Sequence, residues 1–199
     1  MDYDLVVIGG GSAGLTASGL GAQAGAKTLL VEQHRLGGDC TWTGCVPSKT
    51  LIKAAKVAWQ VRHASKYGLT DQPLAPGTRG VMAHLRRTRD AVYEEADRPE
   101  RYEAFGVEVR TARARFIDPH LIELESDGAV ERVSARYVII ATGARPSIPP
   151  IEGLQDVPYL TNETLFELDE LPRRIAILGA GPIGTEMAQA LNRLGSDVT

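Results

Sequence analysis

Residues 3–14 read YDLVVIGGGSAG, an apolar run that ends in three consecutive glycines, and this stretch decides the fold. The apolar run at 3–8 predicts a β-strand that is buried on both faces. The small residues that follow predict a helix that ends near Gly25, and KTLLVE at 27–32 predicts a second strand. The stretch therefore predicts a β-α-β unit with a glycine-rich turn between its first strand and its helix.

The glycines of this turn have the spacing of a dinucleotide-binding loop. Gly9 allows the tight turn, Gly11 lets the backbone approach a pyrophosphate, and Gly14 lets helix and strand pack closely. The phosphates meet the positive end of the helix dipole and its free N–H groups. Glu32 ends the second strand, where an acidic side chain can accept hydrogen bonds from a ribose diol. The loop therefore predicts a nucleotide site.

The same pattern occurs a second time, after the apolar run RRIAIL at 173–178. Gly179, Gly181 and Gly184 repeat the spacing, and Pro182 suits the first turn of a helix. Two copies in strand–turn–helix context make the signal specific. Since Glu32 lies 23 residues after Gly9, its counterpart falls about position 202, beyond Thr199. The residue that separates NAD from NADP is therefore not in this sequence.

Between the two loops the pattern changes from helices to strands. Helices are expected over 50–64 and about 81–102, the second with a break near Pro99. Its charged stretches LRRTRD and YEEAD are interpreted as a solvated helix face. Strands are expected over 107–118, 120–126 and 130–142, the last two joined by an Asp127-Gly128 turn. Proline-rich residues 143–158 predict a domain boundary near 150.

The composition of the 199 residues excludes several classes of protein. Acidic and basic residues are mixed and the net charge is −3, so no nucleic-acid surface is predicted. No apolar stretch approaches the ~20 residues that span a bilayer. The N-terminus has acidic residues where a signal peptide has basic ones. We therefore expect a cytoplasmic protein with neither a nucleic-acid partner nor a membrane partner.

Cys40 and Cys45 are the only cysteines, and they lie in GGDCTWTGCVPSK at 37–49. A structural zinc site needs four ligands, and no nearby His-x-x-x-His pair supplies the missing two, so no metal site is predicted. A purely structural disulfide across so short a loop contributes little stability. Pro47 suits a first helical turn, which places Cys45 at a helix N-terminus where a thiolate is stabilised. The segment therefore favours a redox-active pair over a zinc site or a structural disulfide.

The order of these features resembles the flavin-dependent pyridine nucleotide–disulfide oxidoreductases. A dinucleotide loop, a GGxCxxxxGCxPSK segment, an ATGxRP stretch at 141–146 and a second dinucleotide loop follow one another along essentially the whole chain. The resemblance implies an α/β fold whose residues 1–148 form a Rossmann-like FAD-binding domain with a three-stranded β-meander. That domain would be incomplete, because its C-terminal return segment is missing. Residues 149–199 would be a linker and the first part of a second Rossmann domain, which binds NAD(P).

The resemblance also implies roles for individual residues. Cys40 and Cys45 would be the catalytic pair, a redox-active disulfide in which Cys45 faces the flavin and Cys40 attacks the substrate. The positions implied to bind FAD are Gly9, Gly11, Ser12, Ala13, Gly14, Glu32, Gly38, Lys49, Ala114, Thr142 and Gly143. Those implied on the NAD(P) and flavin side are Gly179, Gly181, Pro182, Ile183, Gly184 and Glu186, with Lys49 as the candidate partner of Glu186.

The implied activity is a disulfide oxidoreductase like dihydrolipoamide dehydrogenase, which passes electrons from NAD(P)H through FAD to Cys40–Cys45 and on to a small disulfide. Two alternatives stay open: a metal-ion reductase like mercuric reductase, and a truncated nucleotide-binding fragment without activity. The resemblance implies a homodimer for the full-length protein. Trp42 departs from the family's usual spacer, and packing against flavin or substrate is as strongly expected as packing in a core.

Overall fold

The computed structural model describes residues 1–74 and 77–199, which form two compact units. The first unit consists of Met1–Trp42 and Ala91–Ile148, and the second of Thr43–Asp90 and Pro149–Thr199. The strands are β1 (Tyr3–Ile8), β2 (Thr28–Glu32), β3 (Val107–Thr111), β4 (Arg113–Asp118), β5 (Leu121–Ser126), β6 (Ala129–Ile140), β7 (Arg174–Ile175) and β8 (Asp197–Val198). The α-helices are α1 (Ser12–Gln23), α2 (Gly38–Trp42), α3 (Cys45–Arg62), α4 (Thr78–Val92), α5 (Pro99–Glu103), α6 (Asn162–Leu165) and α7 (Pro182–Arg193).

The first unit is built on a six-stranded sheet of order β3-β2-β1-β6-β5-β4. Strands β3, β2, β1 and β6 are parallel, whereas β4, β5 and β6 form an antiparallel meander. This sheet confirms the predicted α/β fold. Because β1 has parallel neighbours on both sides, the carboxyl ends of the four parallel strands meet at the edge where open α/β sheets bind ligands.

Strand β1 is buried on both faces, as its apolar run predicts. Val6 and Val7 are both fully buried, and they belong to different hydrophobic clusters. Val7 packs with Leu15 of α1 in one cluster, because alternate side chains of a strand point to opposite faces. Val6 packs with Ile122 of the meander in the other cluster. Helix α1 therefore packs on one face of the parallel sheet, and the hydrophobic cluster that contains Ile122 lies on the other face.

The single strand predicted over 107–118 is wrong, since the structure contains two strands there. Strand β3 pairs in parallel with β2, and β4 pairs antiparallel with β5. The N–H of Ala112, between the two strands, donates to the carbonyl oxygen of Glu32 at 2.9 Å. Both strands have similar residue patterns, so the sequence contains no signal that separates them. The predicted Asp127-Gly128 turn is confirmed, because Ser126 pairs with Ala129 across it.

The helix predicted over 81–102 is interrupted earlier than Pro99. Helix α4 ends at Val92, a π-helical turn covers Tyr93–Asp97, and α5 begins at Pro99. Arg98 is extended, since a residue that precedes proline disfavours the helical conformation. The solvated face predicted for the charged stretches is wrong at two positions: Arg89 and Asp97 are only 6% and 8% exposed.

The second unit has its own hydrophobic core, which is made by α3, α4, α6 and α7. Leu51, Met82 and Leu191 are among its fully buried side chains. Strands β7 and β8 pair in parallel, with α7 between them in the chain. Helix α6 was not predicted; Thr161 caps it by accepting a hydrogen bond from the N–H of Glu163. Among the helices of the described residues, none combines the length and the apolar character that a bilayer span requires.

Candidate functional site

The first glycine loop lies at the carboxyl end of β1 and leads into α1. Gly9 has φ +107°, which only glycine adopts without strain, and a Cβ there would collide with the backbone of Ala141. A Cβ on Gly14 would collide with the carbonyl oxygen of Gly9. Ser12 and Ala13, the first two residues of α1, are exposed, and N–H groups in a first helical turn have no partner within the helix. The loop therefore presents backbone donors in a space that side chains would fill.

Glu32 contacts this loop directly. Its Oε2 accepts a hydrogen bond from the N–H of Gly10 at 2.7 Å, and its Oε1 accepts one from the N–H of His34 at 2.9 Å. A Cβ on Gly10 would lie 3.1 Å from the Cβ of Glu32. Gly10 is a site residue that the sequence reasoning missed. The signal for Gly10 was the run of three consecutive glycines, because the motif requires glycine only at the first and third of these positions.

The cysteine segment packs on the same loop. A Cβ on Gly38, which has φ +56°, would lie 2.5 Å from the Cα of Gly11. The N–H of Gly37 donates to the carbonyl oxygen of Gly10 at 2.9 Å. Two glycine-bearing backbone segments thus approach each other with no side chain between them. This contact joins the predicted phosphate loop to the segment that carries Cys40.

The two cysteines occupy different local structures. Cys40 is half-buried in the short helix α2. Cys45 is exposed and is the first residue of α3, an 18-residue helix whose N-cap is Gly44. The first turn of α3 contains no acidic residue, so the helix dipole acts there without an opposing carboxylate from that turn. Pro47 lies in that first turn, as the sequence predicts.

The remaining positions implied to bind FAD lie on β4 and after β6. Thr142 and Gly143 follow β6 and are exposed, and Gly143 has φ +72°. The N–H of Ala141 donates to the carbonyl oxygen of Ile8 at 2.7 Å, which holds the chain after β6 beside the first glycine loop. Ala114 lies in β4 opposite Leu124, so it belongs to the meander.

The second glycine loop repeats the local geometry of the first in the other unit. Gly179 has φ +109°, and a Cβ on Gly184 would collide with the carbonyl oxygen of Gly179. Gly181 is the N-cap of α7 and Pro182 its first residue. Ile183 is 71% exposed in the first turn. An exposed apolar side chain at a helix N-terminus provides contact area for a bound ligand.

Lys49 and Glu186 form an ion pair within the second unit. Lys49 lies on α3 and Glu186 on α7, and the lysine Nζ lies 2.7 Å from one carboxylate oxygen and 2.9 Å from the other. The structure therefore brings together the two residues that the resemblance pairs. Within residues 1–74 and 77–199, no group of three or more His, Cys, Asp or Glu side chains is arranged to hold a metal ion.

Known proteins match this chain over essentially its whole length. The family model described as pyridine nucleotide-disulphide oxidoreductase matches residues 3–199. A mercuric reductase of Staphylococcus aureus is 34% identical over 202 residues, which cover 100% of this chain and 35% of that protein. A glutathione reductase of Yarrowia lipolytica is 34% identical over 206 residues, which cover 99% of this chain and 43% of that protein. The chain thus spans less than half of the length of these relatives.

The solved structures agree with the sequence comparison. A Cu(II) complex of RclA from Escherichia coli, described as an HOCl-induced flavoprotein disulfide reductase, superposes with a TM-score of 0.81 at 26% identity. The match covers 100% of this chain and 42% of that one. Two glycine loops with the same local geometry, the cysteine segment on the first of them and a family match over residues 3–199 point to one conclusion. The chain belongs to the pyridine nucleotide-disulphide oxidoreductase family.

Proposed function

We propose that the protein is an oxidoreductase that passes electrons from NAD(P)H through FAD to Cys40 and Cys45, and from them to a small disulfide. Residues 1–148 contribute the FAD-binding domain, and residues 149–199 begin the NAD(P)-binding domain. The activity is proposed for the whole protein, since this chain spans less than half of its relatives. A homodimer and a cytoplasmic location stay predictions.

One observation carries the proposal: the backbone of Gly38 packs against Gly11. A glycine loop at a strand–helix junction binds dinucleotide phosphates through its backbone N–H groups. Cys40 lies two residues after Gly38, so a thiol follows closely on the segment that touches the loop. A structural disulfide or a zinc site has no need of this contact, whereas electron transfer between a bound dinucleotide and a thiol needs the two close together.

The residues around the first loop fit FAD. The loop from Gly9 to Gly14, including the exposed Ser12 and Ala13, would hold the pyrophosphate in the space that a Cβ would fill. Glu32, whose carboxylate already reaches Gly10, would accept hydrogen bonds from the ribose. The other implied contacts come from Gly38, Lys49, Ala114, Thr142 and Gly143. NAD(P)H would bind the second loop through Gly179, Gly181, Pro182, Ile183 and Gly184, with Glu186 beside it.

The two thiols have separate roles in the proposed reaction. FAD, when bound, supplies the carrier that accepts two electrons from the nicotinamide and passes them to the protein. Cys40 attacks the substrate disulfide, so one substrate thiolate leaves and takes up a proton. Cys45 then displaces the second substrate thiol as the Cys40–Cys45 bond forms. Its place at the start of α3 favours the thiolate that this step requires.

A second candidate is reduction of a soft metal ion. Several relatives at 32–36% identity are named mercuric reductase, and paired thiolates are the ligands that soft cations prefer. The first candidate predicts NAD(P)H oxidation that depends on a disulfide such as oxidised glutathione or lipoamide, and the second predicts oxidation that depends on Hg(II). Assaying the purified full-length protein with each substrate in turn separates them.

The proposal is tested by visible absorption spectra under anaerobic dithiothreitol, recorded for the wild type, Cys40→Ser and Cys45→Ser. We expect all three proteins to be yellow from bound flavin. A long-wavelength charge-transfer band between the flavin and the Cys45 thiolate should form in the wild type and be retained in Cys40→Ser. Cys45→Ser should lack the band and the turnover. Disulfide-dependent turnover in Cys45→Ser would overturn the assigned role. A colourless wild type would support the alternative of a nucleotide-binding fragment without activity.

A further inference from the structure

The residue that follows Cys40 is held by a buried carboxylate. The Thr41 hydroxyl donates a hydrogen bond to Oδ2 of Asp97 at 2.5 Å. Thr41 is 5% exposed and Asp97 is 8% exposed. Asp97 ends the π-helical turn, 56 residues along the chain from Thr41. A buried carboxyl group without a hydrogen bond has a large desolvation cost, so its hydrogen bond to Thr41 offsets a substantial penalty.

Trp42 contacts the opposite end of the same π-helical turn. Its ring centroid lies 5.2 Å from that of Tyr93, and its Nε1 donates to the carbonyl oxygen of Leu36 at 2.8 Å. The guanidinium carbon of Arg35 lies 3.4 Å from the centre of the ring. The two residues after Cys40 thus both pack on Tyr93–Asp97. Trp42 packs within the first unit, which favours the core-filling interpretation of this residue.

Gly37 completes the packing around the carboxylate. It has φ +101°, and a Cβ there would lie 2.9 Å from Oδ2 of Asp97 and 2.9 Å from the Cβ of Thr41. The segment 37–42 is therefore fixed on one side by the first glycine loop and on another by the π-helical turn. Cys40 lies between these two contacts.

We propose that Asp97 is a positioning residue for Cys40 and acts through the Thr41 hydroxyl. The inference rests on the proposed function, in which Cys40 must reach both Cys45 and the substrate. A directional hydrogen bond restricts the backbone rotations of Thr41 and hence those of Cys40. Thiols held in a fixed arrangement react with an effective concentration far above that of free thiols. Two apolar side chains at positions 97 and 41 would fill the same volume but would not impose the directional constraint of a hydrogen bond.

The thiol–disulfide equilibrium of the Cys40–Cys45 pair in glutathione buffers measures this positioning. Forming the bond removes two electrons and two protons from the two thiols, while one glutathione disulfide becomes two glutathione thiols. Thr41→Val and Asp97→Ala should each lower the equilibrium constant about tenfold, because each removes one buried hydrogen bond. The double variant should match the single variants, since both changes remove the same interaction.

Conservative variants and a distant control separate positioning from general stability. Thr41→Ser keeps the hydroxyl and Asp97→Asn keeps an acceptor oxygen, so both should stay within about twofold of the wild type. Thr28→Val removes a buried hydroxyl from β2 in the same unit, where it donates to the carbonyl oxygen of Ala26 at 3.0 Å. It should lower the unfolding midpoint and leave the equilibrium constant unchanged. If Thr28→Val lowers the constant as much as Thr41→Val does, the positioning role is wrong.

A second measurement keeps this inference separate from the proposed function. In a Cys45→Ser background, the rate at which iodoacetamide alkylates Cys40 needs neither flavin nor a disulfide. Loss of the Thr41–Asp97 bond should raise this rate about fivefold to tenfold, because the half-buried thiol becomes more accessible when α2 moves. Thr41→Ser and Thr28→Val should leave it unchanged. An unchanged rate in Thr41→Val and Asp97→Ala overturns the inference, whether or not the wild type reduces disulfides.

Discussion

Lys49 and Glu186 are each the fifth residue of their helices, α3 and α7, and the lysine Nζ lies 2.7 Å from a carboxylate oxygen of its partner. Both side chains are exposed, at 61% and 45%. Exposed ion pairs contribute about 0–1 kcal/mol to stability, because water and salt screen them. The pair joins the helix that begins at Cys45 to the helix that follows the second glycine loop. We therefore expect its loss to affect the reaction more than the stability.

We expect Lys49→Met to change the free energy of unfolding by no more than about 1 kcal/mol, while the rate at which NAD(P)H reduces the flavin falls at least about tenfold. In the proposed function Lys49 is a cation on the flavin side, so its loss and the uncompensated carboxylate of Glu186 would both act in this direction. Stopped-flow absorbance measures the rate, and urea titration measures the stability.

Arg79→Met is the matched control, since Arg79 and Glu170 form an exposed pair at 3.4 Å within the same unit. It should affect neither quantity by more than about twofold or 0.5 kcal/mol. Equal rates in Lys49→Met and Arg79→Met would show that the lysine has no role in the reaction.

Gly14→Ala and Gly19→Ala compare two glycines on the same helix. A Cβ on Gly14 would collide with the carbonyl oxygen of Gly9, whereas a Cβ on Gly19 meets nothing within 4 Å. Gly14→Ala should cost about 1–3 kcal/mol of stability and lower the flavin-to-protein absorbance ratio, because α1 must shift away from β1. Gly19→Ala should stabilise the helix by about 0.5–1 kcal/mol and leave the ratio unchanged. Full flavin content in a folded Gly14→Ala protein would contradict the assigned binding loop.

The sequence predicts those parts of the site that depend on local geometry. Gly9 and Gly179 adopt the positive φ angles that the motif requires, and Cys45 begins a helix because Gly44 and Pro47 surround its start. These features are set by neighbours within a few residues, so composition and spacing are enough to find them. The Lys49–Glu186 contact spans 137 residues and was found only because the resemblance supplies the pair.

Asp97 shows what spacing alone cannot predict. In the sequence it ends the acidic stretch YEEAD, which has the pattern of a solvated helix face. In the structure a π-helical turn changes the angular position of its last residue, and Asp97 turns inward to meet Thr41. Neither residue has a neighbour in sequence that signals the contact. The burial of a charged side chain depends on distant groups that satisfy it, and such partners are visible only after folding.

Tyr3 gives a pH dependence that is unrelated to the cysteines. Its hydroxyl donates to Glu108 at 2.7 Å, and burial, with this hydrogen bond, raises its pKa to about 12. Tyrosine in an unfolded chain titrates near ~10, so the folded state holds the proton more tightly. The stabilisation is complete below about pH 10 and is lost as the pH rises through about 12. The unfolding free energy of the wild type minus that of Tyr3→Phe should therefore fall across this window.

Chemical denaturation at fixed pH intervals measures this difference. Tyr137→Phe, at a tyrosine that is 62% exposed in the same sheet, is measured beside it as the control. A flat profile for Tyr3→Phe would show that the Tyr3–Glu108 hydrogen bond does not hold the proton.

Glu32→Gln tests whether the carboxylate organises the first loop as well as the ligand. Both of its oxygens accept backbone N–H donors, from Gly10 and from His34. Glutamine offers one acceptor oxygen, so its amide NH₂ must face the other N–H, at a cost of about 1–3 kcal/mol. We expect lower stability even when flavin is removed, and faster flavin release when it is present. Glu125→Gln, on an exposed residue of β5 in the same unit, should change neither. If Glu32→Gln neither speeds flavin release nor lowers stability, the carboxylate has no role in organising the loop, and the ribose must be bound by other residues of the loop.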